Sequence, residues 1–524
     1  MKPRFIAGPP GTGKTHGFIV GLYKDLLPKY HPDKIIILSH TNVAANQIRD
    51  AILQIPEIKQ RGFTQKSMKY KICTIHSYCR SRLLRKEKFD YEDHKNLIIQ
   101  EKYFNLDTES DIEKKHKFYR YLSEARGHGK TLDEYWKQCD RNIFKPYSIE
   151  LIKDLHKIYT KYKKDNNKCD YADMVEQFNH LDVKVPDVDA VIIDECQDSN
   201  VPQRTAIEKM ATNVKENHYY LVGDADQTLF EYAGSNADYF HRLAAKPYKE
   251  LEEGKRCSLA VNTLCKNIIE PIWNKYGSHR IWTPAKRNGE IIQGKGYYLP
   301  DLERSGHLDI LLDKIENTDQ TFLFTFRGAP SDNRCREFFI KRGIEFAHVD
   351  QSAFVSKKEL RCHEMWTEFV KGQPMSLTQI KHFWDYMGSK VIVRGKSNKE
   401  IFDSWIKQDY TLEQLIEKGL LKPETTQYTQ FDLIRIPSKT TQERLIYINK
   451  ILKKGFDFNK NIRVKYGNIH TVKGLTFDNV IVDETITRKE DYFTQLRLKY
   501  TAYSRAINDY WTLTSNKKLR LGVR

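Results

Sequence analysis

Eight consecutive residues carry the clearest chemistry in the chain: Gly8-Pro9-Pro10-Gly11-Thr12-Gly13-Lys14-Thr15. They satisfy the spacing G-x-x-x-x-G-K-[ST]. Glycines at 8, 11 and 13 permit backbone dihedrals that let successive N–H groups converge on one phosphate. Lys14 adds a point charge for β- and γ-phosphates, and Thr15 adds a hydroxyl for Mg2+. The pattern implies a bound nucleoside triphosphate. Farther along, the apolar run 188–193 ends in Asp194-Glu195-Cys196-Gln197-Asp198. Two acids at the end of a buried strand are costly unless they hold a metal or do chemistry. Asp194 then orders Mg2+ opposite Thr15, and Glu195 orients and polarises an attacking water. Gln227, closing Gly223-Asp224-Ala225-Asp226-Gln227, is placed to sense a γ-phosphate.

Such groups need strands to deliver them and helices to leave by. Arg4-Phe5-Ile6-Ala7 is the expected strand before the loop, and 17–23 carries apolar residues at helical spacing behind it. Lys34-Ile35-Ile36-Ile37-Leu38 is a buried-strand run. It leads through Ser39-His40-Thr41-Asn42 into an Ala-rich helix, with polar groups at the carboxyl end of the strand where ligands bind. A second such unit, 72–78, ends its apolar run in Thr74, His76 and Ser77, and 218–222 is a further parallel strand. The fold class is α/β. From 81 to 167 the pattern turns helical and highly charged, which reads as an insertion. Its stretches 114–121 and 157–164 interleave basic and aromatic residues, suiting either stacking on a single strand or a solvated helical face.

Composition sets outer bounds. A chain of 524 residues exceeds one core and suggests about three or four domains. Lys+Arg 87 against Asp+Glu 69 leaves 87 − 69 = +18, a surplus that favours a polyanionic partner. Aromatic content of 12% is compatible with stacking on unpaired bases, without separating DNA from RNA. Nine scattered cysteines without a C-x-x-C pair argue for reduced thiols, small buried fillers, rather than a disulfide framework or zinc module. With 2–7 committed to a strand, no leader is expected, and no apolar run approaches the ~18 residues of a membrane span. The expectation is a cytoplasmic protein.

Several further blocks fall in a fixed order. Asp194-Glu195-Cys196-Gln197-Asp198 fits D-E-x-Q-D, and 223–232 resembles V-G-D-x-x-Q-S-I-Y. Leu251-Glu252-Glu253-Gly254-Lys255-Arg256-Cys257-Ser258 resembles L-x-x-N-Y-R-S. Residues 469–477 resemble T-x-H-x-x-K-G-L-E-F, and 500–506 resemble Y-V-A-x-[ST]-R-A. With Thr41-Asn42 and Thr74-Ile75-His76-Ser77, this ordered set resembles superfamily 1 helicases of the UvrD/Rep/PcrA type. The resemblance implies two RecA-like P-loop motor domains, parallel sheets flanked by helices, each interrupted by a mainly helical insertion. The first would span 1–82 and 168–245 around an insertion at 83–167. The second would span 246–350 and 456–524, with strands at 320–327 and 479–482, around an accessory domain at 351–455.

The same resemblance implies ATP, with other NTPs possible, and Mg2+ held by Thr15 and Asp194. Nucleotide contacts would come from Gly8, Pro9, Pro10, Gly11, Thr12, Gly13, Lys14, Thr15, His16 and Gly474. Arg256 and Arg505, from the second domain, would reach the γ-phosphate gripped by the first. His40, Thr41, Asn42, Thr74, His76, Phe230, Tyr232 and His470 would touch the strand. The implied activity is ATP-dependent translocation on single-stranded DNA and unwinding of tailed duplex, 3′→5′, with a recruiting repair or replication protein as a possible partner. A nucleotide-driven protein–DNA remodeller and an RNA-directed motor are the competing readings.

The chain departs from the family at the base and sugar. Lys255 replaces the tyrosine that stacks on adenine, and Thr476 the glutamate that holds the ribose. Ala233 stands where an arginine is usual, His40 replaces an aromatic, and the glutamine motif ahead of the phosphate loop is missing. The phosphate machinery is whole. Relaxed nucleotide choice is therefore expected.

Overall fold

The structure, a computed structural model, describes residues 2–83, 90–91, 109–145, 147–180, 188–212, 214, 218–294, 307–327, 329–350, 353–384, 386–429, 442–457, 460–483 and 491–513. The expected insertions at 83–167 and 351–455 thus lie partly outside the described residues. The chain divides into two compact units, Met1–Gly289 with Glu490–Ser504, and Glu290–Lys489 with Arg505–Arg524.

The first unit is built on a six-stranded sheet. Its strands are β1 (Arg4–Ala7), β2 (Ile35–Ser39), β3 (Ile72–Thr74), β4 (Ala190–Ile193), β5 (Tyr219–Gly223) and β6 (Lys249–Glu250). They run parallel in the order β3-β2-β4-β5-β1-β6. Side chains alternate across a strand, and here both faces are apolar. Phe5, Ile36, Leu38, Val191 and Ile193 enter one cluster. Ile6, Ile35, Ile37, Ala190 and Ile192 enter the other. That is why these strands read as unbroken hydrophobic runs, the mark of a parallel sheet covered on two sides. Helices Asn42–Leu53, Tyr171–His180 and Val201–Ala211 belong to the covering layers. Parallel register brings the carboxyl ends of β1, β4 and β5 to one edge, as Ala7 pairs with Gly223 and Ile193 with Leu221.

Residues 246–289, placed in the second domain by the sequence reading, pack in the first unit. The cause is local: β6 pairs with β1, Leu251 N–H donates to Ala7 O (2.8 Å) and Lys255 N–H to Gly11 O (2.9 Å). Among the described residues of the 81–167 segment, the main aromatics are drawn inward rather than left as platforms or a wet face. Phe118, Tyr121, Tyr135, Phe144 and Tyr159 form their own core among helices Glu109–Gly127, Leu132–Trp136 and Ile149–Asp165. Some lysines do sit on solvated surface, as with the exposed Lys157–Asp154 pair. Arg126 binds Asp170, Asp173 and Glu176, and Lys163 binds Asp170 and Asp173, which ties these helices to Tyr171–His180.

The second unit repeats the architecture. Its strands are β7 (Ile291–Gly294), β8 (Phe322–Phe326), β9 (Phe346–His348), β10 (Val464–Asn468), β11 (Phe477–Asp483) and β12 (Ala506–Leu513). They form a second six-stranded parallel sheet in the order β9-β10-β8-β11-β12-β7. A separate small core around Trp366, Phe369, Trp384, Phe402 and Leu415 organises the segment between β9 and β10. Eight of the nine cysteines are buried, as small core fillers would be. Among the described residues no helix is long and apolar enough to cross a membrane.

Candidate active site

β1 delivers the chain to the loop, and Gly8 N–H continues the ladder by donating to Gly223 O (3.1 Å). Gly11 and Gly13 adopt φ of +75° and +79°, the left-handed region that glycine enters without penalty. Thr12 Oγ1 donates to Pro9 O (2.8 Å), closing the turn. Lys14 is buried, its Nζ donating to Gly8 O (2.7 Å) and reaching Pro9 O at 3.4 Å. A Cβ on Gly8 would stand 2.8 Å from Lys14 Cγ, so the lysine stem crosses where only glycine leaves room. The helix behind opens with a widened turn, Phe18 N–H reaching Gly13 O (2.9 Å), before Val20–Leu26 continues it. Free amides at such a start attract anions.

Opposite stands the acidic pair. Asp194 is fully buried at the end of β4, and Thr15 Oγ1 donates to its Oδ2 (3.2 Å). Its Oδ1 is buried with no hydrogen-bond partner among the described residues. Burial first, then the neighbouring Glu195 charge, pushes the Asp194 carboxyl up to about 7 against the pull of Lys14 and Thr15. An orphaned carboxylate oxygen beside a hydroxyl is a donor set of the hard oxygen type that Mg2+ takes. The residues fit that ion. Glu195 sits at φ +50°, ψ 41°, a strained conformation for a residue with a side chain. Gln197 donates to Glu195 Oε2 and accepts from Asp224 N–H (3.1 Å), locking the turn. A Cβ on Gly223 would fall 2.2 Å from Gln197 Oε1, so that glycine is what lets Gln197 approach.

Gln227 is buried and its Nε2 donates to Asp224 Oδ2 (2.8 Å). Arg256 lies in the first unit, its Cβ so close to the loop that a Cβ on Gly11 would come within 2.3 Å of it. Its Nη1 reaches Ser504 O at 3.4 Å, and burial lowers its pKa. Arg505 and Gly474 lie in the second unit. Arg505 is buried with Nη1 near Leu475 O (3.4 Å), and Gly474 takes φ +88°. His16 is exposed on the first turn behind the loop.

The expected strand-contacting residues lie at or beyond the carboxyl ends of strands, Thr74 closing its strand, Asn42 and His76 on the helices that follow, and the others in the connecting segments. His40 Nε2 meets Ser199 Oγ (3.1 Å), and Thr41 caps helix Asn42–Leu53 by accepting from Ala44 N–H (3.2 Å). Asn42 opens that helix on its exposed side. Thr74 bonds Ser77 Oγ (2.8 Å), and His76 stands edge-on to Tyr171 at 5.2 Å. His76 lines a cavity of about 230 Å3 with Tyr119, Arg126, Tyr171 and Gln203. Phe230 and Tyr232 lie 6.2 Å apart, Tyr232 being 47% exposed. His470 lies in the second unit beside Arg327 (3.5 Å). Sequence reasoning missed Arg280, Trp273 and Tyr500, which bury their polar ends on Asp224 and Asp226. Only Tyr500 falls within a motif block.

The model of the UvrD/REP helicase N-terminal domain matches residues 1–247. A probable DNA helicase II homolog of Mycoplasma capricolum subsp. capricolum is 29% identical over 326 residues, 55% of this chain and 41% of the relative. The ATP-dependent DNA helicase Rep of Buchnera aphidicola subsp. Acyrthosiphon pisum is 23% identical over 399 residues, 68% of this chain and 57% of the relative. The ATP-dependent DNA helicase SRS2 of Saccharomyces cerevisiae is 25% identical over 292 residues, 49% of this chain and 23% of the relative. The chain spans about half the length, or less, of these curated relatives.

Proposed function

We propose, from the match of residues 1–247 to the UvrD/REP helicase N-terminal domain, that the chain is an ATP-dependent motor that moves 3′→5′ along single-stranded DNA and unwinds tailed duplex. The observation that carries this reading is the Thr15–Asp194 pair, 3.2 Å apart beside a buried Lys14 and a backbone-strained Glu195. A six-stranded parallel sheet in each unit supports two RecA-like domains, with 83–167 and 351–455 as accessory segments. The relatives named as DNA helicases favour DNA over RNA as the track.

In this mechanism Thr15 and Asp194 would hold Mg2+, which would supply charge neutralisation at the phosphate oxygens. Loop amides and Lys14 grip the phosphates. Glu195 orients the attacking water and accepts its proton, and its strained backbone keeps the carboxylate aimed. Arg256, beside Gly11, stabilises charge on the transferring group, the role that the resemblance also gives to Arg505. Such arginines raise turnover by ~10³–10⁵ in related phosphoryl-transfer systems. Closure with nucleotide and release after hydrolysis move the strand past His40, His76, Phe230, Tyr232 and His470.

Unwinding assays on duplexes with a 3′ or a 5′ tail test the proposal. Strand separation from the 3′-tailed substrate alone is expected. Equal action on blunt duplex, or action on the 5′-tailed one alone, overturns the polarity. Nucleotide turnover stimulated by RNA and not by DNA overturns the choice of track.

A further inference from the structure

Asp224 is completely buried and accepts four hydrogen bonds. Its Oδ1 takes Arg280 Nη1 (2.9 Å) and Asp226 N–H (3.2 Å). Its Oδ2 takes Gln227 Nε2 (2.8 Å) and the Tyr500 hydroxyl (3.1 Å). Arg280 also pairs with Asp226 Oδ2 (3.3 Å), which accepts from Trp273 Nε1 (2.8 Å). Every member belongs to the first unit, yet they come from three separated stretches of chain. Tyr500 is on helix Tyr492–Tyr503, and the chain passes into the second unit between Ser504 and Arg505.

A buried carboxylate accepts this many donors only if they are held in fixed geometry, and moving one donor disturbs the others. Gln227 and Tyr500 share a single oxygen, so displacing the glutamine amide changes what the tyrosine hydroxyl binds. Burial and both carboxylates push the Tyr500 phenol well above its ordinary value, so it stays a donor. We infer that Tyr500 and Arg280 are positioning residues: through Asp224 they couple the amide of Gln227 to the helix that leads into Arg505. This rests on the reading of Gln227 as the group that senses the terminal phosphate. Neither Arg280 nor Tyr500 touches the reacting atoms in this scheme. Their effect is on the coupling between nucleotide state and the Arg505-bearing segment, not on nucleotide affinity.

The test compares the full chain with its Tyr500→Phe variant, which removes one hydroxyl and keeps the ring. Binding of a non-hydrolysable ATP analogue with Mg2+ is measured by titration, and amide exchange over 492–503 is followed with and without it. The wild type is expected to slow exchange there at least fivefold on binding. The variant should bind within twofold of wild type, show no slowing, and lose at least fivefold in strand-stimulated kcat with KM for ATP unchanged. Arg280→Lys, which keeps the charge but not the fork, should reproduce the loss, and serves if Tyr500→Phe does not fold. A wild type that binds the analogue with exchange unchanged overturns the coupling alone. So does a variant indistinguishable from wild type. A wild type that binds no nucleotide overturns the proposed function, and the coupling with it.

Discussion

The hydroxyl of Thr15 donates to Oδ2 of Asp194 across 3.2 Å, joining residues 179 positions apart. β5 separates the strands that deliver them, so the contact exists only because the parallel register aligns three carboxyl ends at one edge. The other oxygen of Asp194 is buried with no partner among the described residues, a cost of about 1–3 kcal/mol unless a cation or proton meets it.

Replacing that carboxylate isolates its role. Asp194→Asn should lower kcat on the order of 100-fold, the scale of charge stabilisation by a bound metal. Nucleotide affinity without Mg2+ should change little. Turnover at saturating nucleotide, with affinity measured with and without Mg2+, checks both halves; an unchanged Mg2+ requirement contradicts the assignment.

A pH response follows from His76, whose burial brings its pKa down to about 4. The neutral ring is favoured in the folded state, so its contribution is complete above the unfolded value near 6.5. It is lost as pH falls from there towards 4. Because the ring is only partly buried by area, we expect about 1–2 kcal/mol over that window. Arg126, Asp170 and Glu176 line the same cavity and are joined in ion pairs. Denaturant unfolding at pH 7 and pH 4.5 should show a smaller loss for His76→Gln than for wild type. Identical losses would remove His76 as the cause.

Much of this arrangement was legible, and the gaps have physical reasons. The loop at 8–15, the strand runs 4–7, 34–38 and 188–193, and the strands at 320–327 and 479–482 could be read because their patterns are local. β7, β9, β10 and β12 were not singled out, since short or polar-interrupted runs such as Val464–Asn468 carry weak period-two signal. Residues 246–289 went to the wrong neighbour because a two-residue edge strand decides their packing. Tyr119, Tyr121 and Tyr159 were offered as surface groups. The lysines around them hid a core in which the Tyr121 hydroxyl donates to Leu132 O and the Tyr159 hydroxyl to Asp170 Oδ2 (3.0 Å). The Asp224 network has no linear spacing to find.

Close backbone contact gives a stability prediction. Gly234 sits at φ +94°, and a Cβ there would lie 2.0 Å from Gly127 O. Gly234→Ala combines a disfavoured dihedral with an overlap against backbone, which should cost about 2 kcal/mol or more. The contact joins the end of helix Glu109–Gly127 to the turn bearing Phe230 and Tyr232. A fall in thermal midpoint with reduced strand affinity is expected; an alanine variant as stable as wild type would show that the turn yields.

By the resemblance, Lys255 and Thr476 stand where the family stacks on the base and holds the sugar, while the phosphate loop keeps its full pattern. We expect kcat/KM for GTP and dATP within about tenfold of ATP, since one missing stack or hydrogen bond is worth about 1–3 kcal/mol. Steady-state rates with the three nucleotides decide it. A hundredfold preference for ATP would mean that other residues read the base.

The central claim is that one site hydrolyses nucleotide under control of a single strand. Its most direct measurement is the ATP hydrolysis rate of the full chain with and without a single-stranded DNA oligonucleotide, in wild type and in Glu195→Gln. The account predicts at least about tenfold stimulation by the strand, and a stimulated rate lowered about 100-fold or more by the substitution. A wild-type rate indifferent to DNA, or a Glu195→Gln rate equal to wild type, would contradict it.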